Sequence, residues 1–319
     1  MTKIVVYNDP LPIDEESIQA ICSAAPTATV VTPTKEQLEQ ELADAEIFFG
    51  FSPPDVFLGA NQLRWIQATA AGMERILTPE LIQRGLTICN ASGVHGPQVA
   101  EMAWALTLAV ARRIDTFVRN QQRHHWEWTT NMDMEGSTAG IIGLGGIGRR
   151  YARVAAAFGM RVLAVDLHRP PKPDEVEALW PMDRLDEMLE QADVLMIACP
   201  YTPKTHHLID RDRLARMKPS TILVNIARGG IVEEDALAEA LREGRLSGAG
   251  IDVTETEPLP EDSPLWDVPN LIITPHCAGH APNRARRLTE FFCENLRRYL
   301  AGEPLTNVVD QQKGYPVPG

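Results

Sequence analysis

The sequence predicts an α/β protein that contains two doubly wound parallel sheets. Three observations support this fold class. Short apolar runs alternate with helical patterns along most of the chain, the apolar runs show no polar–apolar alternation, and 319 residues are enough for two domains. Alternation of strands and helices favours parallel strands joined by crossover helices. Apolar strands without alternation are typical of sheets covered on both faces.

The first series of elements fills the N-terminal third of the chain. Its predicted strands are KIVVY (3–7), TATVVT (27–32), AEIFFGF (45–51), RWIQATAAG (64–72) and LTICNAS (86–92). The segment 15–25 has the apolar spacing of an amphipathic helix. A long helix is expected over 97–121, and because it is apolar around much of its surface it should be buried between domains or subunits. The polar stretch 122–137, which carries Trp126 and Trp128, is expected to form an irregular arm.

The second series runs to the C-terminal part of the chain. Its predicted strands are TAGIIGLG (138–145), MRVLAVD (160–166), ADVLMIACP (192–200), STILVNIA (220–227), GAGIDV (248–253) and LIITPH (271–276). Six strands with helices between them match the strand count of a complete dinucleotide-binding sheet. A last helix is predicted over 284–303, followed by the polar tail 311–319.

Charge and cysteine content exclude several classes of protein. The chain has 30 basic and 43 acidic residues, a net charge of -13, which disfavours binding to nucleic acid or to anionic membranes. No apolar run approaches the roughly 20 residues of a membrane span, and the N-terminus lacks the pattern of a signal peptide. Five scattered cysteines without a CxxC pair, and histidines without metal-ligand spacing, predict reduced thiols and no metal. We therefore expect a cytoplasmic protein.

A glycine-rich turn follows the first strand of the second series. The run Gly143-Leu144-Gly145-Gly146-Ile147-Gly148 matches GxGxxG, with a strand before it and a helix after it. Such glycines permit a tight turn, close approach of the backbone to a pyrophosphate, and close packing of helix on strand. The helix N-terminus then offers free N–H groups to the phosphates. The turn therefore predicts a Rossmann domain that binds a dinucleotide.

Asp166 bears on the choice of dinucleotide. It ends the next strand, 23 residues after Gly143, where the fingerprint places an acidic residue. A carboxylate there accepts hydrogen bonds from ribose hydroxyls and repels a 2′-phosphate, which favours NAD over NADP. His168 and Arg169 follow closely and could bind a phosphate instead, or be surface residues.

Three charged or titratable residues follow late strands, where doubly wound sheets bind ligands. Arg228 follows STILVNIA, Glu257 follows GAGIDV, and His276 ends LIITPH. Each alone fits an ordinary role, as a solvated loop charge, a turn residue or a structural histidine. Together, downstream of a dinucleotide site, they have the chemistry needed to reduce a 2-keto acid.

The chain resembles the D-isomer-specific 2-hydroxyacid dehydrogenases over nearly its whole length. The resemblance depends on AAGMERI (70–76), GPQVAEMAWALTLAVAR (96–112), GLGGIG (143–148), PYTPKTHHLI (200–209), NIARGGIVEEDAL (225–237), GAGIDVTETEPLP (248–260) and PLWDVPNLIITPHCAG (264–279). The resemblance implies a Rossmann cofactor domain, 97–286, inserted into a flavodoxin-like substrate domain, 1–96 plus 287–319. Two linkers would act as a hinge. It also implies a homodimer through helix 97–121 and arm 122–137, although the helix could instead be buried within one chain.

The resemblance implies roles for the three late residues. His276 would be the general acid–base that protonates the substrate carbonyl oxygen as hydride arrives at carbon. Glu257 would pair with His276 and favour its imidazolium form. Arg228 would hold the substrate carboxylate in a two-point grip. Both His276 and Arg228 would thus also contact the substrate and line the nicotinamide site.

The same resemblance implies contacts with cofactor and substrate at further positions. Backbone N–H groups at Ala71 and Gly72 would form a second grip on the substrate carboxylate. Asp252 would accept a hydrogen bond from the nicotinamide carboxamide. The remaining implied cofactor contacts are Gly143, Gly145, Gly146, Ile147, Gly148, Asp166, Pro200, Thr205 and Ala227.

Two other functions stay open at this stage. A formate-type dehydrogenase shares the fold, but that subgroup has Gln where this chain has Glu257. A non-catalytic dinucleotide sensor on the same scaffold would bind the cofactor without turnover. Within the family pattern, His280 departs from the usual small or hydroxyl residues, and it could affect substrate choice or be a capping or surface residue. The sequence does not name the acid.

Overall fold

The computed structural model describes residues 1–8, 13–168 and 170–316, which form two compact units. We call Met1–His95 with Ala281–Gly319 the terminal unit, and Gly96–His280 the central unit. Each unit is built on one parallel sheet, of five strands in the terminal unit and seven in the central unit. The predicted α/β class with two parallel sheets is confirmed.

The N-terminal part of the terminal unit contains all five strands predicted for it. The strands are β1 (Lys3–Asn8), β2 (Thr29–Val31), β3 (Ile47–Phe51), β4 (Trp65–Ala68) and β5 (Thr87–Cys89). The helices between them are α1 (Glu15–Ala24), α2 (Leu38–Leu42) and α3 (Pro79–Gln83). The strand order is β2-β1-β3-β4-β5, which is the flavodoxin-like doubly wound order.

In its described part, the central unit contains seven strands. They are β6 (Thr138–Ile142), β7 (Arg161–Val165), β8 (Ala178–Trp180), β9 (Val194–Ile197), β10 (Ile222–Asn225), β11 (Gly248–Ile251) and β12 (Leu271–Ile273). Its helices are α4 (Gly96–Ala111), α5 (Ile114–Gln122), α6 (Gly146–Ala157), α7 (Leu185–Leu189), α8 (Arg211–Arg216) and α9 (Glu234–Arg242). The order β12-β11-β10-β9-β6-β7-β8 reverses direction between β6 and β9. In open α/β sheets, such a switch point is where ligands bind.

The C-terminal segment returns to complete the terminal unit. Helix α10 (Arg284–Ala301) packs on the sheet, and β13 (Val309–Asp310) pairs with β14 (Tyr315–Pro316). Phe292 of α10 stacks on Phe49 of β3, with ring centroids 4.2 Å apart. Asn295 donates to Gln67 of β4 at 3.0 Å, so a buried polar contact fixes the same helix to the sheet.

The helix predicted over 97–121 is in fact two helices, α4 and α5. Arg113 stands between them with φ of 52°, a left-handed conformation that breaks the helical run. Helix α4 packs on the sheet of its own unit: a Cβ at Gly250 would lie 2.7 Å from Leu106, and one at Gly248 would lie 2.5 Å from Val110. Burial within one chain, the alternative that the sequence left open, therefore accounts for this face of α4.

One further prediction was wrong in detail. The six predicted strands of the second series omit β8, a three-residue edge strand whose side chains are half-buried. The polar tail contains a short strand, since Tyr315–Pro316 pairs with Val309–Asp310; residues 317–319 lie outside the described part. The arm is irregular as expected, since 123–137, all described, contains neither helix nor strand. Among the described residues, none of the helices combines the length and apolar character needed to cross a bilayer.

Candidate active site

Three adjacent parallel strands of the central unit present the three predicted catalytic residues at one edge of the sheet. Strands β10, β11 and β12 are neighbours, and their carboxyl ends lead into the loops of Arg228, Glu257 and His276. Backbone hydrogen bonds continue past the strand ends. The Asp252 N–H donates to Asn225 O at 2.9 Å, and the His276 N–H donates to Asp252 O at 2.8 Å. The loops are therefore tied to each other as well as to the sheet.

His276 and Glu257 are joined by a side-chain hydrogen bond. Nδ1 of His276 lies 2.8 Å from Oε2 of Glu257, and their side chains are 46% and 25% exposed. The other carboxylate oxygen, Oε1, accepts the Thr254 N–H at 3.3 Å. His276 has a φ of 50°, an uncommon left-handed conformation for a residue with a side chain, and such conformations concentrate at functional sites. Since Nδ1 faces the carboxylate, the ring is oriented by Glu257.

Asp252 anchors the loop that carries His276. Its carboxylate is 1% exposed, and Oδ1 accepts both the Thr274 hydroxyl at 2.5 Å and the Cys277 N–H at 3.0 Å. Oδ2 accepts the Ala278 N–H at 2.9 Å. A buried carboxylate needs such donors to offset its loss of hydration. This anchoring role was not predicted from the sequence, although a buried acid at the end of an apolar strand is itself a signal that donors lie nearby.

The turn that carries Arg228 is held from two sides. The Asn225 side chain accepts the Ala227 N–H at 3.1 Å and donates to Arg228 O at 2.8 Å, and Arg228 Nη1 donates to Ala227 O at 2.7 Å. On the other side, a Cβ at Gly229 would lie 2.0 Å from the carbonyl carbon of Thr254. The Arg228 turn is therefore in direct backbone contact with the loop that leads to Glu257.

The glycine-rich turn lies at the switch point between β6 and β9. Gly143 has a φ of +93°, and a Cβ there would lie 2.8 Å from Cys199 N. A Cβ at Gly148 would lie 2.1 Å from Gly143 O, so close packing of helix on turn requires glycine there too. Helix α6 begins at Gly146, with Gly145 as its N-cap and Ile147 in its first turn, and its first N–H groups have no intrahelical acceptor. These features suit an anionic diphosphate.

Asp166 lies beside the glycine-rich turn. Its Oδ2 accepts the Leu144 N–H at 2.8 Å, and its Oδ1 accepts the His168 N–H at 2.8 Å. The carboxylate is thus oriented by backbone on both sides and keeps acceptor capacity for further donors. Arg169, the alternative phosphate ligand, lies outside the described residues.

The segment after β9 faces the glycine-rich turn across the switch point. Thr205 closes it, because its hydroxyl donates to Pro200 O at 2.8 Å and accepts the Thr202 N–H at 2.7 Å. Ala227 lies two residues past the end of the neighbouring strand, β10. Pro200, Thr205 and Ala227 therefore share the carboxyl edge with the catalytic candidates.

Three predicted residues lie elsewhere in the chain. Ala71 and Gly72 belong to the terminal unit, just past β4, and Asn90 fixes the segment by donating to Ala71 O at 2.6 Å. His280 is the last residue of the central unit and is exposed, with its N–H donated to Cys277 O at 2.8 Å.

A second acidic group lies next to the His276–Glu257 pair, and sequence reasoning did not find it. Glu255 pairs with His207, with Oε1 and Nε2 2.9 Å apart. The Glu255 N–H donates to Oε1 of Glu234, the first residue of α9, at 2.5 Å. Burial raises the pKa of Glu234 to about 6, and the nearby charges of Glu255, Asp235 and Glu257 add to the effect. Within the described part of the chain, no group of three or more His, Cys, Asp or Glu side chains is placed to hold a metal ion.

Comparisons with known proteins identify relatives of this chain. The family model described as "D-isomer specific 2-hydroxyacid dehydrogenase, NAD binding domain" matches residues 104–278. D-3-phosphoglycerate dehydrogenase of Methanocaldococcus jannaschii is 33% identical over 97% of this chain, which spans 60% of that protein's length. Glyoxylate reductase of Korarchaeum cryptofilum is 36% identical over 88% of this chain and 87% of its own. A solved structure of NADPH-dependent glyoxylate/hydroxypyruvate reductase from Sinorhizobium meliloti, in complex with NADP and sulfate, has a TM-score of 0.86 and 28% identity, covering 99% of this chain and 100% of that one.

Proposed function

The chain belongs to the D-isomer-specific 2-hydroxyacid dehydrogenase family, and we propose that it transfers a hydride between a nicotinamide dinucleotide and C2 of a small D-2-hydroxy acid or its 2-keto form. The observation that carries the proposal is the 2.8 Å pair between His276 Nδ1 and Glu257 Oε2 at the carboxyl edge of a dinucleotide-type sheet. The relatives named as reductases support the keto acid as the substrate class.

In the direction of reduction, His276 is the proton donor. With Nδ1 engaged by Glu257, the other ring nitrogen, Nε2, gives its proton to the carbonyl oxygen as that oxygen gains negative charge. The Glu257 carboxylate stabilises the imidazolium before transfer and holds the ring in one orientation. In the reverse direction the neutral imidazole takes the hydroxyl proton. A bound nicotinamide supplies or accepts the hydride.

Arg228 binds the substrate carboxylate and polarises the adjoining carbonyl. Its guanidinium offers a two-point grip with fixed geometry, which lysine would not provide. Backbone N–H groups at Ala71 and Gly72 of the terminal unit would provide the second grip. On this proposal 97–286 is the cofactor domain and 1–96 with 287–319 the substrate domain.

The residues present fit a dinucleotide, with NAD preferred. Gly143, Gly145, Gly146, Ile147 and Gly148 would face the pyrophosphate, because this turn exposes backbone N–H groups at a helix N-terminus. Asp166 would accept from the adenosine ribose hydroxyls and repel a 2′-phosphate. The Sinorhizobium meliloti relative binds NADP, so the preference rests on Asp166 itself.

The nicotinamide half would meet the opposite side of the switch point. Pro200, Thr205 and Ala227 would line the groove there. Asp252 would accept from the carboxamide through Oδ2, which also accepts the Ala278 N–H at 2.9 Å. The enzyme is expected to act as a cytoplasmic homodimer through 97–121 and 122–137.

Steady-state oxidation of NADH and NADPH with glyoxylate, hydroxypyruvate, pyruvate and bulkier 2-keto acids tests the proposal. We expect turnover with at least one small keto acid, a higher kcat/KM with NADH than with NADPH, and a loss of about 10²–10⁴-fold in kcat for His276→Ala, the usual contribution of a general acid. Unchanged NADH binding in the variant is the control. Full activity of His276→Ala would refute the proton-transfer role, and NADH binding without turnover on any acid would favour the sensor alternative.

A further inference from the structure

Glu234 is placed in a way that stability alone does not explain. It is half-buried, and within the described chain no Lys, Arg or His lies within ion-pair distance of it. The nearby charges of Glu255 and Glu257 act on it unfavourably. A partly buried carboxylate next to other carboxylates costs folding free energy, and such costs are usually retained at functional sites.

The contact that Glu234 does make is with the backbone of the active-site loop. Its Oε1 accepts the Glu255 N–H at 2.5 Å. The same peptide group, Thr254–Glu255, lies against Gly229, where a Cβ would come within 2.0 Å of the Thr254 carbonyl carbon and 2.3 Å of Glu255 N. This peptide is therefore held between the Arg228 turn on one side and Glu234 on the other.

The held peptide leads directly to Glu257. The Thr254 N–H donates to Glu257 Oε1, and the Thr254 hydroxyl donates to Thr256 O at 2.8 Å, so 254–257 is a compact turn. A shift of that turn would move Glu257 relative to His276, and it would also release the contact with Gly229 next to Arg228. Misplacement of reacting groups by about 1 Å costs roughly 10²-fold in rate.

We infer that Glu234 is a positioning residue of the active site: by clamping the Thr254–Glu255 peptide against Gly229, it holds Glu257 on His276 and fixes the adjoining Arg228 turn. The inference rests on the proposed function, since it assigns a role in that reaction. Glu234 itself touches neither substrate nor cofactor in this scheme. The length of its side chain and one acceptor oxygen are what the clamp requires.

Three substitutions separate the effect of side-chain length at position 234 from the effect of its charge. Glu234→Gln keeps the length and the acceptor oxygen and loses the charge, Glu234→Asp keeps the charge and shortens the reach, and Glu234→Ala loses both. We expect kcat of the Gln variant to stay within about threefold of the parent protein, and kcat of the Asp and Ala variants to fall by roughly 10–100-fold. The KM for NADH should change less than about twofold throughout, because the glycine-rich turn is untouched.

Asp235→Ala is the matched control. Asp235 is the next residue of α9, is exposed, and lies in the same first turn, so its loss weakens the same helix terminus without touching the loop. Its kcat should equal that of the parent protein. Equal losses in Asp235→Ala and Glu234→Ala would overturn the inference, and so would a fully active Asp variant beside an inactive Gln variant, since charge rather than reach would then matter.

A readout independent of turnover keeps this test separate from the proposed function. The side-chain ¹⁵N resonances of His276, assigned with His276→Asn, report its hydrogen bond to Glu257. They should change in the Ala and Asp variants and remain as in the parent protein in the Gln and Asp235→Ala variants. If the parent protein turns over none of the keto acids, the proposed function fails while the spectra still decide the clamp. Unchanged spectra and kcat in Glu234→Ala would overturn it.

Discussion

At the scale of residues, the site keeps three neighbouring glutamates chemically distinct by giving each a different partner. Glu257 pairs with His276, and Glu255 pairs with His207. Glu234 receives a backbone N–H instead of a cation. Burial near like charges disfavours the ionised carboxylate of Glu234. On the proposed mechanism Glu257 orients the ring of the proton donor, whereas Glu234 holds a peptide.

The raised pKa of Glu234 predicts a stability that depends on pH. The carboxyl has a pKa of about 6 in the folded protein against 4.5 ordinarily, so the folded state binds its proton more tightly than the unfolded state does. Below pH 4.5 the carboxyl therefore has little effect on the free energy of unfolding. As the pH rises from 4.5 to about 6, its ionisation lowers the free energy of unfolding. Glu234→Gln should increase the free energy of unfolding at pH 8 by about 1 kcal/mol, after allowance for solvent screening. Urea unfolding at pH 4.5 and pH 8 measures this.

The comparison between the two pH values is the control for the amide substitution itself. Any effect of the amide on packing is common to both conditions, so the difference isolates the ionisation. A stability difference for Glu234→Gln that is the same at both pH values would contradict the burial that the structure shows.

Arg228, Glu257 and His276 could be predicted as site residues from the sequence because each follows an apolar strand. The carboxyl ends of parallel strands lie at the same edge of a sheet. The chemical roles of the three residues stay predictions. Glu234 was not predicted as a site residue, because an acidic residue in the first turn of a helix ordinarily stabilises the helix through its dipole. Its contact with Glu255 joins positions 21 residues apart, and no local pattern encodes it.

At the scale of elements, the central sheet depends on glycines that let helix α4 approach closely. Gly248 and Gly250 of β11 face Val110 and Leu106 of α4. A side chain at either position would need the helix to move, because the clashing atoms belong to side-chain stems. Close packing of this kind transmits volume changes directly into strain.

Gly250→Ala should therefore destabilise the protein. Its Cβ would lie 2.7 Å from Leu106 Cβ, and overpacking of this size costs typically about 1–3 kcal/mol. Thermal denaturation should show a lower Tm, by roughly 2–4 °C for each kcal/mol. Gly59→Ala is the control, because a Cβ there meets nothing within 4 Å. Identical melting of the two variants would mean that α4 does not pack on β11 as described.

Helices and strands with strong apolar patterns could be predicted from the sequence, whereas elements with weak patterns could not. Every predicted strand is present, because buried parallel strands have runs that differ from their surroundings. Strand β8 has three half-buried residues at the sheet edge and gives no such signal. The break at Arg113 also has no signature, since left-handed φ in arginine arises from tertiary context rather than from the intrinsic preference that glycine has.

At the scale of the whole molecule, an apolar surface on the central unit remains to be explained. Trp126 and Trp128 of the arm are 86% and 88% exposed, and Ile114 and Val118 lie one turn apart on α5 at 49% and 48%. Large apolar side chains exposed to this degree often mark an interaction site, and tryptophan is enriched among the residues that dominate binding energy. We predict that these exposed side chains contribute to the homodimer that the family resemblance implies.

Substitution of both tryptophans by serine should weaken that dimer. Loss of a central aromatic residue from an interface typically costs about 2 kcal/mol or more, so the double variant should raise the dimer Kd by roughly 100-fold or more. Sedimentation equilibrium over a range of protein concentrations measures the Kd. Leu58→Ser is the control, because Leu58 is exposed but belongs to the terminal unit. Two outcomes would contradict the prediction: a parent protein that is monomeric at tens of micromolar, and a Kd that is unchanged in the double variant. In either case the two indoles would not be buried in a dimer interface, and the arm would have another role.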